Sequence, residues 1–309
     1  MRILIEPPTW LGDAVMATPA IENLVNYYDE PEVILIGSYI SIELLKNHPR
    51  ISNTYVIRKK YTSLYKISKK LGQFDIFFSF RSSFRSKFLK LLISSKKKFQ
   101  FDRNRYQNRH QVKKYNDFIN ENLNTHFHSG RLIIHPILKQ TNKNSKPILG
   151  INPGASYGDS KRWHPEKFAK VATELSHKFD ILIFGSVDEK NIATDIEKLL
   201  IKNNVSNYQN LAAQTSVEEL IYHISTLDIF VTGDSGPMHI AAAFQVPTVA
   251  IFGPTKDTET SQWMNDKSTI VKKELDCQPC MKRNCPLKHN NCMKLIKAEE
   301  VLNAVKSLN

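Results

Sequence analysis

The sequence predicts an α/β protein with two doubly wound, Rossmann-like domains that face a cleft. Three observations lead to this prediction. Apolar strand patterns alternate with helical patterns in both halves of the chain, a polar segment separates the halves, and in each half a strand runs into a turn that opens a helix. The 309 residues suffice for two ordinary cores, and 41% hydrophobic with 24% charged residues is typical of a folded protein.

The first half alternates strands and helices along most of its length. Residues 14–27 and 111–123 have the apolar spacing of helices. Strands are predicted at 2–6, Glu32–Ile36, Thr54–Ile57 and Phe74–Phe78, with helices at Ser41–Asn47 and Ser63–Leu71 between them. This order predicts βαβ units and a parallel sheet.

A polar segment, residues 136–147, interrupts the alternation. Its lysine, asparagine, threonine and serine residues suit a linker between domains. We therefore expect one domain at 1–140 and a second at 141–309.

The second half repeats the alternation without a detectable sequence repeat. Strands are predicted at Ile148–Ile151, Ile181–Phe184, Ile229–Thr232 and Thr248–Phe252, and helices at Pro165–Lys178, Glu189–Asn203, Val217–Ser225 and Pro237–Phe244. Ligands of such sheets bind beyond the carboxyl ends of the strands, so loops 7–13 and 233–236 are expected to face a ligand.

The segment from Ile229 to Ala243 predicts a phosphate site. A buried strand leads into a tight turn at Gly233 and Gly236, and then into a helix that Ser235 or Gly236 can cap and that Pro237 suits at its first position. The N–H groups and the positive end of the helix dipole would bind an anion.

Several other functional signatures are missing. The sequence has neither G-x-G-x-x-G after its first strand nor a P-loop, and no D-x-D pair to hold a divalent metal. Gly233-Asp-Ser-Gly236 matches a protease nucleophile loop, but its strand–helix context disfavours a serine hydrolase. The chain lacks an apolar run of about 18 residues and a signal-peptide pattern, so we expect a cytoplasmic protein.

The net charge of +13 is unevenly placed. Residues 81–115 contain one acid, Asp102, against these cations: Arg81, Arg85, Lys87, Lys90, Lys96, Lys97, Lys98, Arg103, Arg105, Arg109, Lys113 and Lys114. Such a stretch attracts nucleic acid, an anionic membrane surface or a phosphorylated substrate, whereas the Lys96–Lys98 run equally fits a solvated face. The spacing of the nearby phenylalanines fits packing better than nucleic-acid binding, so no nucleic-acid partner is expected.

Four polar residues near the ligand-facing loops each have a functional and a structural interpretation. Asp13 can be a helix cap or a base that takes a proton from an attacking hydroxyl. Lys161 and Arg162 can neutralise a departing diphosphate or lie exposed on a loop. His239 can donate to a phosphate or pack in the core.

All four cysteines fall in one short segment with the spacing C-x2-C-x4-C-x6-C. A structural zinc bound by Cys277, Cys280, Cys285 and Cys292, with His289 as another possible ligand, is one interpretation. Free thiols that pack a loop are the other.

These segments together resemble the bacterial lipopolysaccharide heptosyltransferases, most closely the heptosyltransferases II. The matching pieces are Pro8-Thr-Trp-Leu-Gly-Asp-Ala-Val-Met-Ala-Thr-Pro-Ala20, Pro153-Gly-Ala-Ser-Tyr-Gly-Asp-Ser-Lys-Arg-Trp163, Thr232-Gly-Asp-Ser-Gly-Pro-Met-His239, Arg109–Tyr115 and the cysteine segment. The resemblance implies a GT-B glycosyltransferase that inverts the anomeric centre without a metal. It implies ADP-heptose as donor and the first inner-core heptose of phosphorylated Kdo-lipid A as acceptor.

The resemblance also assigns roles to residues. It makes Asp13 the general base and places Lys161 on the diphosphate. The implied donor-binding residues are Ser156, Lys161, Asp188, Glu189, Asp234, Ser235, Gly236, Met238 and His239, with one of Asp188 and Glu189 on the ribose. The implied acceptor-binding residues are Gly12, Arg81, Arg85, Arg109 and His110.

The remaining expectations concern location and rival functions. The basic stretch would attach a monomeric enzyme to the inner face of the cytoplasmic membrane. A heptosyltransferase I, which would use Kdo as acceptor, and a sugar-nucleotide epimerase on the same scaffold are the alternatives.

Overall fold

The computed structural model describes residues 1–58, 60–136 and 146–308. The chain divides into two compact units, Met1–Ile137 and Leu138–Asn309. The predicted boundary after residue 140, and most of the polar segment predicted as a linker, lie outside the described residues.

The first unit contains a parallel sheet of five strands among its described residues. The strands are β1 (Arg2–Glu6), β2 (Glu32–Gly37), β3 (Ile51–Val56), β4 (Gln73–Ser79) and β5 (Ser94–Gln100), in the order β3-β2-β1-β4-β5. Leu4 in the central strand lies opposite Ile34 on one side and Phe77 on the other, and all three are buried. Apolar strands of this kind require helices on both faces of the sheet.

The helices of the first unit supply those two layers. They are α1 (Leu11–Met16), α2 (Thr18–Tyr27), α3 (Tyr39–Leu45), α4 (Tyr61–Leu71), α5 (Phe84–Leu92) and α6 (Gln111–Leu123). Helices α1, α2 and α6 contact one another, as do α4 and α5.

The single helix predicted over residues 14–27 is wrong, because the structure has two helices, α1 and α2. Pro19, near the start of α2, has no N–H to donate to the carbonyl of Val15. The hydroxyl of Thr18 donates to this carbonyl instead, at 2.7 Å. A proline in the apolar repeat therefore divided the helix.

The sequence patterns missed α5 and β5 altogether. The Lys96–Lys98 run lies in β5, at the edge of the sheet, where Lys97 pairs with Ile76 and Lys98 with Phe77. Lysines on an edge strand hinder pairing with another chain. Their charge concealed the strand from a search for apolar periodicity.

The second unit has a parallel sheet of six strands among its described residues. They are β6 (Ile148–Asn152), β7 (Asp180–Ile183), β8 (Tyr208–Asn210), β9 (Ile229–Gly233), β10 (Thr248–Ile251) and β11 (Ser268–Val271), in the order β11-β10-β9-β6-β7-β8. Renumbered within the unit, this is the 3-2-1-4-5-6 order of a Rossmann sheet. The predicted class, α/β with two Rossmann-like doubly wound sheets, is confirmed.

The helices of the second unit are α7 (Pro165–Leu175), α8 (Lys190–Lys202), α9 (Val217–Ser225), α10 (Gly236–Ala243), α11 (Asp257–Thr260), α12 (Asn291–Lys294) and α13 (Ala298–Ser307). Those predicted in this half, α7 to α10, are confirmed to within a few residues. The short strands β8 and β11 and the last three helices were not predicted. In each sheet the strand order reverses beside the first strand, between β1 and β4 and between β6 and β9, which is where ligands of such folds bind.

Candidate functional site

The candidate site of the first unit lies beyond the carboxyl end of β1, where α1 begins. Trp10 is the N-cap of α1 and makes no side-chain capping bond. Asp13 is the third residue of the helix, next to Gly12, so the interpretation of Asp13 as a cap is wrong. Its half-buried carboxylate lies in the first turn, where the helix dipole favours negative charge.

A buried tyrosine of α6 lies within electrostatic reach of Asp13. Tyr115 is 4% exposed. Burial, and then the charge of Asp13, raise the pKa of the Tyr115 hydroxyl well above its ordinary value. The charge of Asp13 thus acts on a side chain of α6 within the first unit.

A second carboxylate at this edge, Glu6, was not predicted. Glu6 is 1% exposed, and its carboxylate accepts hydrogen bonds from the hydroxyls of Ser79, at 2.7 Å, and Ser86. Nη1 of Arg81 lies 2.9 Å from Oε1 of Glu6. A buried charge needs such partners. The available signal was an acid that ends the otherwise apolar strand Ile-Leu-Ile-Glu.

The other residues expected to bind the acceptor also have partners within the first unit. Arg85 donates to the carbonyl oxygen of Arg58 at 2.5 Å, and Arg109 pairs with Asp117 at 2.7 Å. His110 is the N-cap of α6, because its Nδ1 accepts the N–H of Val112 at 3.3 Å. Their predicted role toward an acceptor stays a prediction.

The candidate site of the second unit lies beyond the carboxyl end of β9, where α10 begins. Ser235 is the N-cap, but its side chain does not bond to the helix. Its hydroxyl accepts from Nδ2 of Asn152 at 3.1 Å and lies 3.2 Å from the hydroxyl of Thr232. Ser235 is therefore the N-cap, as predicted, although without a side-chain capping bond, and Pro237 is the second helical residue rather than the first.

The N-terminus of α10 keeps donors for an anion. The N–H groups of Ser235 and Gly236 have no acceptor among the residues that the structure describes, whereas the N–H of Met238 donates to the carbonyl of Ser235 at 3.2 Å. Two backbone donors at the positive end of a helix are suited to a phosphate oxygen.

Lys161 and Asp234, predicted separately as donor-binding residues, form an ion pair in the structure. Nζ of Lys161 lies 2.5 Å from Oδ2 of Asp234, and the side chains are 11% and 6% exposed. The hydroxyl of Thr255 donates to the same oxygen at 2.6 Å. The ammonium also lies 4.6 Å from the ring centroid of Tyr157. The pair thus holds a largely buried cation beside the start of α10.

Of the two acids considered for a ribose, the structure places Glu189 beside the loop that follows β6. Glu189 is buried and accepts the N–H of Ser186 at 2.8 Å in a capping box, whereas Asp188 is exposed. A Cβ on Gly154 would lie 2.1 Å from Cδ of Glu189, so this position requires glycine.

Three other predicted donor-binding residues differ in their accessibility. Met238 is fully buried and packs against Ala250 and Phe252, so its side chain belongs to the core rather than to a ligand contact. His239 is also buried, as its packing interpretation requires, and Ser156 is exposed on the loop after β6.

A structural zinc in the cysteine segment stays a prediction. Cys292 is buried in the core of the second unit, and the other three thiols are half-buried. Burial, followed by the charges of Cys280, Cys285 and Cys277, raises the pKa of the Cys292 thiol. Within the described ranges, no three of the sulfurs come within 4.8 Å of one another, whereas zinc ligands converge on one point.

Glu22 of α2, His48 and His135 form an unpredicted group whose ligand atoms lie within 4.8 Å of one another. The Nε2 atoms of His48 and His135 lie 2.8 and 3.4 Å from Oε1 of Glu22. Nδ1 of His48 accepts the N–H of Arg50 at 3.0 Å, so neutral His48 carries its proton on Nε2. A metal on Nε2 would need the opposite tautomer, and the group is better described as a hydrogen-bonded cluster.

Two Rossmann-type sheets, with a helix N-terminus beside a buried lysine in the second unit and a carboxylate beyond the carboxyl end of β1 in the first, are typical of α/β enzymes that bind nucleotides. A family model described as glycosyltransferase family 9 (heptosyltransferase) matches residues 64–291. The lipooligosaccharide heptosyltransferase 2 of Campylobacter jejuni subsp. jejuni serotype O:2 is 43% identical over 317 residues, which cover 100% of this chain and 98% of that protein. The chain belongs to glycosyltransferase family 9, the heptosyltransferases.

Solved structures agree with this assignment at the level of the fold. Escherichia coli ADP-heptose LPS heptosyltransferase II gives a TM-score of 0.80 at 19% identity, covering 100% of this chain and 98% of that one. E. coli heptosyltransferase WaaC with ADP-2-deoxy-2-fluoro heptose gives 0.77 at 13% identity, covering 100% of both chains. Family membership makes this chain a glycosyltransferase rather than a serine hydrolase or an epimerase. Among its described helices, none is long and apolar enough to span a membrane.

Proposed function

We propose that this enzyme transfers L-glycero-D-manno-heptose from ADP-heptose to the first inner-core heptose of Kdo-lipid A during synthesis of the lipopolysaccharide or lipooligosaccharide core. The observation that carries the proposal is the 43% identity to a lipooligosaccharide heptosyltransferase 2 over essentially the whole of both chains. ADP-heptose as donor is supported by two structural neighbours, one named for that sugar nucleotide and one bound to a fluorinated analogue of it.

Asp13 is the proposed general base. As the acceptor hydroxyl attacks the anomeric carbon from the face opposite ADP, its proton passes to the Asp13 carboxylate. The new glycosidic bond forms while the bond from the anomeric carbon to the diphosphate breaks, so the configuration inverts. The position of Asp13 in the first turn of α1, beyond the carboxyl end of β1 where ligands of such sheets bind, supports this choice.

The second unit is proposed to hold the donor. The leaving diphosphate gains negative charge, which the Lys161 ammonium and the N–H groups at the start of α10 would stabilise. Asp234 would keep the lysine in place, and their 2.5 Å ion pair supports this division of roles. Glu189 is the proposed ribose ligand, since it is the acid that lies beside Gly154.

The proposed transfer requires no divalent cation, because a fixed lysine and helix dipole supply the positive charge that the leaving group needs. Turnover should therefore be unchanged after treatment with EDTA. A rate that is lost on chelation and restored by one divalent ion would contradict this part of the proposal.

We further propose a monomer in the cytoplasm, attached peripherally to the inner face of the cytoplasmic membrane. The excess of positive charge over residues 81–115 supports attraction both to anionic lipid and to the phosphates and carboxylates of the acceptor. The first unit, which contains this stretch and Asp13, would accordingly bind the acceptor.

The decisive experiment offers the enzyme ADP-heptose and two truncated acceptors, Kdo-lipid A with and without the first heptose, and analyses the lipid product by mass spectrometry. Addition of one heptose only to the heptose-bearing acceptor is the expected result. Addition to Kdo itself would indicate a heptosyltransferase I. No product with either acceptor would contradict the proposed substrates.

A further inference from the structure

Helices α4 and α5 of the first unit expose a surface that the proposed chemistry does not use. We call it the α4–α5 face, and it comprises Tyr61, Tyr65, Lys66, Phe84, Lys87 and Leu91. The two helices are in contact, and the rings of Tyr61 and Phe88 meet edge to face at 5.4 Å between centroids. The face is therefore a continuous surface on two packed helices.

The outer side of α5 is more apolar than its packing requires. Phe84 and Leu91 are 77% and 78% exposed, while Ser86 and Leu89 on the inner side are buried. Phe84, Lys87 and Leu91 are spaced i, i+3 and i+7, which places them on one side of the helix. The inner side of α5 already packs in the core, so the two exposed apolar side chains do not contribute to the packing of this helix.

The charge of this region is almost entirely positive. Between residues 44 and 101 the sequence has fifteen lysines and arginines and a single acid, Asp75. That carboxylate is paired with Nζ of Lys96 at 2.7 Å and accepts the backbone N–H of Arg2 at 2.9 Å. Positive charge around exposed aromatic and aliphatic side chains is complementary to a lipid surface with anionic headgroups.

We propose that the α4–α5 face docks on an anionic phospholipid bilayer, with Phe84 and Leu91 inserted at the boundary of the acyl chains and Lys66 and Lys87 against the headgroups. This inference rests on the proposed function, because a lipid-linked acceptor would lie in the same bilayer. Nucleic acid is the other polyanion to consider, but an exposed leucine contributes nothing to base stacking. The surface therefore fits lipid better.

The test measures sedimentation of the full chain with vesicles of phosphatidylcholine alone or mixed with phosphatidylglycerol. We expect binding only to the anionic vesicles. Phe84→Ser with Leu91→Ser should weaken this binding at least about tenfold even at low salt, since two apolar side chains no longer insert. Lys66→Glu with Lys87→Glu should weaken it as well, by an amount that shrinks as salt rises.

Matched controls come from the second unit. Ile201→Ser with Leu295→Ser removes exposed apolar side chains, and Lys198→Glu with Lys202→Glu reverses exposed charges. These variants should bind anionic vesicles like the unaltered chain. All variants change exposed positions, so equal thermal midpoints are expected and show that the fold is intact.

Three results would overturn the inference. The first is vesicle binding by the Phe84/Leu91 variant that equals that of the unaltered chain. The second is equal binding of the unaltered chain to neutral and anionic vesicles, and the third is binding to an oligonucleotide with none to vesicles. Transfer to a deacylated, water-soluble acceptor separates this inference from the proposed function. The Phe84/Leu91 variant should keep full activity there while losing activity on vesicle-embedded acceptor. Absence of transfer by the unaltered chain would count against the proposed substrates and leave the vesicle result standing.

Discussion

Among single residues, Asp13 gained most from the structure. By sequence it was a helix cap or a base, and its place as the third residue of α1 removes the first interpretation. A half-buried carboxylate in the first turn of α1 is compatible with the proposed proton acceptor, a role that stays a prediction.

Replacing Asp13 by asparagine should lower kcat by about 10²- to 10⁴-fold, because general-base catalysis contributes that much. The affinity for ADP, measured by calorimetry, should change little. Asp29→Asn, which alters an exposed carboxylate of the first unit, is the control and should retain its rate. A near-normal kcat for the Asp13 variant would remove this residue from the proposed role.

The Lys161–Asp234 ion pair predicts that a second substitution will restore part of the ADP affinity lost by the first. Lys161→Met should weaken ADP binding by about 30-fold or more, which corresponds to about 2 kcal/mol of binding free energy. The substitution removes a cation and leaves a buried carboxylate unpaired near the phosphates. Asp234→Asn added to this variant should recover part of the affinity, since the unpaired charge is gone. Equal affinities of the single and double variants would show that Asp234 has no electrostatic effect on the donor.

At the scale of elements, the hydrogen-bonded cluster of Glu22, His48 and His135 joins α2 to the turn before β3 and to the chain before residue 136. Burial acts to raise the pKa of the Glu22 carboxyl, but the hydrogen bonds and charges of His48 and His135 outweigh it, so this pKa lies below its ordinary value of 4.5. A carboxyl with a lowered pKa in the folded state adds stability above its unfolded pKa, and this contribution disappears as the pH falls through the folded pKa.

Glu22→Gln should therefore lower the free energy of unfolding by about 1 kcal/mol near neutral pH. The difference should shrink in acid, at a pH below the lowered pKa of the native carboxyl, where the folded state is protonated too. Urea unfolding at neutral and at acid pH measures this difference in the free energy of unfolding. Asp29→Asn, which alters an exposed carboxylate, is the control. A loss that is equal at both pH values would mean that packing, rather than charge, holds the group together.

At the scale of the whole molecule, the net charge of +13 predicts different salt responses for the two substrates. Raising the ionic strength from about 0.01 M to about 1 M shortens the Debye length from about 30 Å to about 3 Å. The KM for an anionic acceptor should rise clearly. The KM for the donor should rise less, because Lys161 is largely buried. Parallel increases in both KM values would show that the basic surface does not favour the acceptor.

The sequence by itself determined the fold class, most helices and the two ligand-facing loops. Apolar periodicity and turn chemistry are local, so they can be recognised without knowing which strands are neighbours. Where local signals conflicted, as at Pro19 within an apolar repeat or in the lysine-rich β5, the prediction failed.

Only the tertiary structure decided which polar groups meet. Lys161 and Asp234 are 73 residues apart, and they pair because β6 and β9, which precede them, are neighbours in the sheet. Arg81 and Glu6 are 75 residues apart in the sequence, and they pair because β1 lies beside β4. That Glu189 rather than Asp188 lies against Gly154 likewise depends on packing. Such contacts follow from strand order and packing, and no local pattern of residues records them.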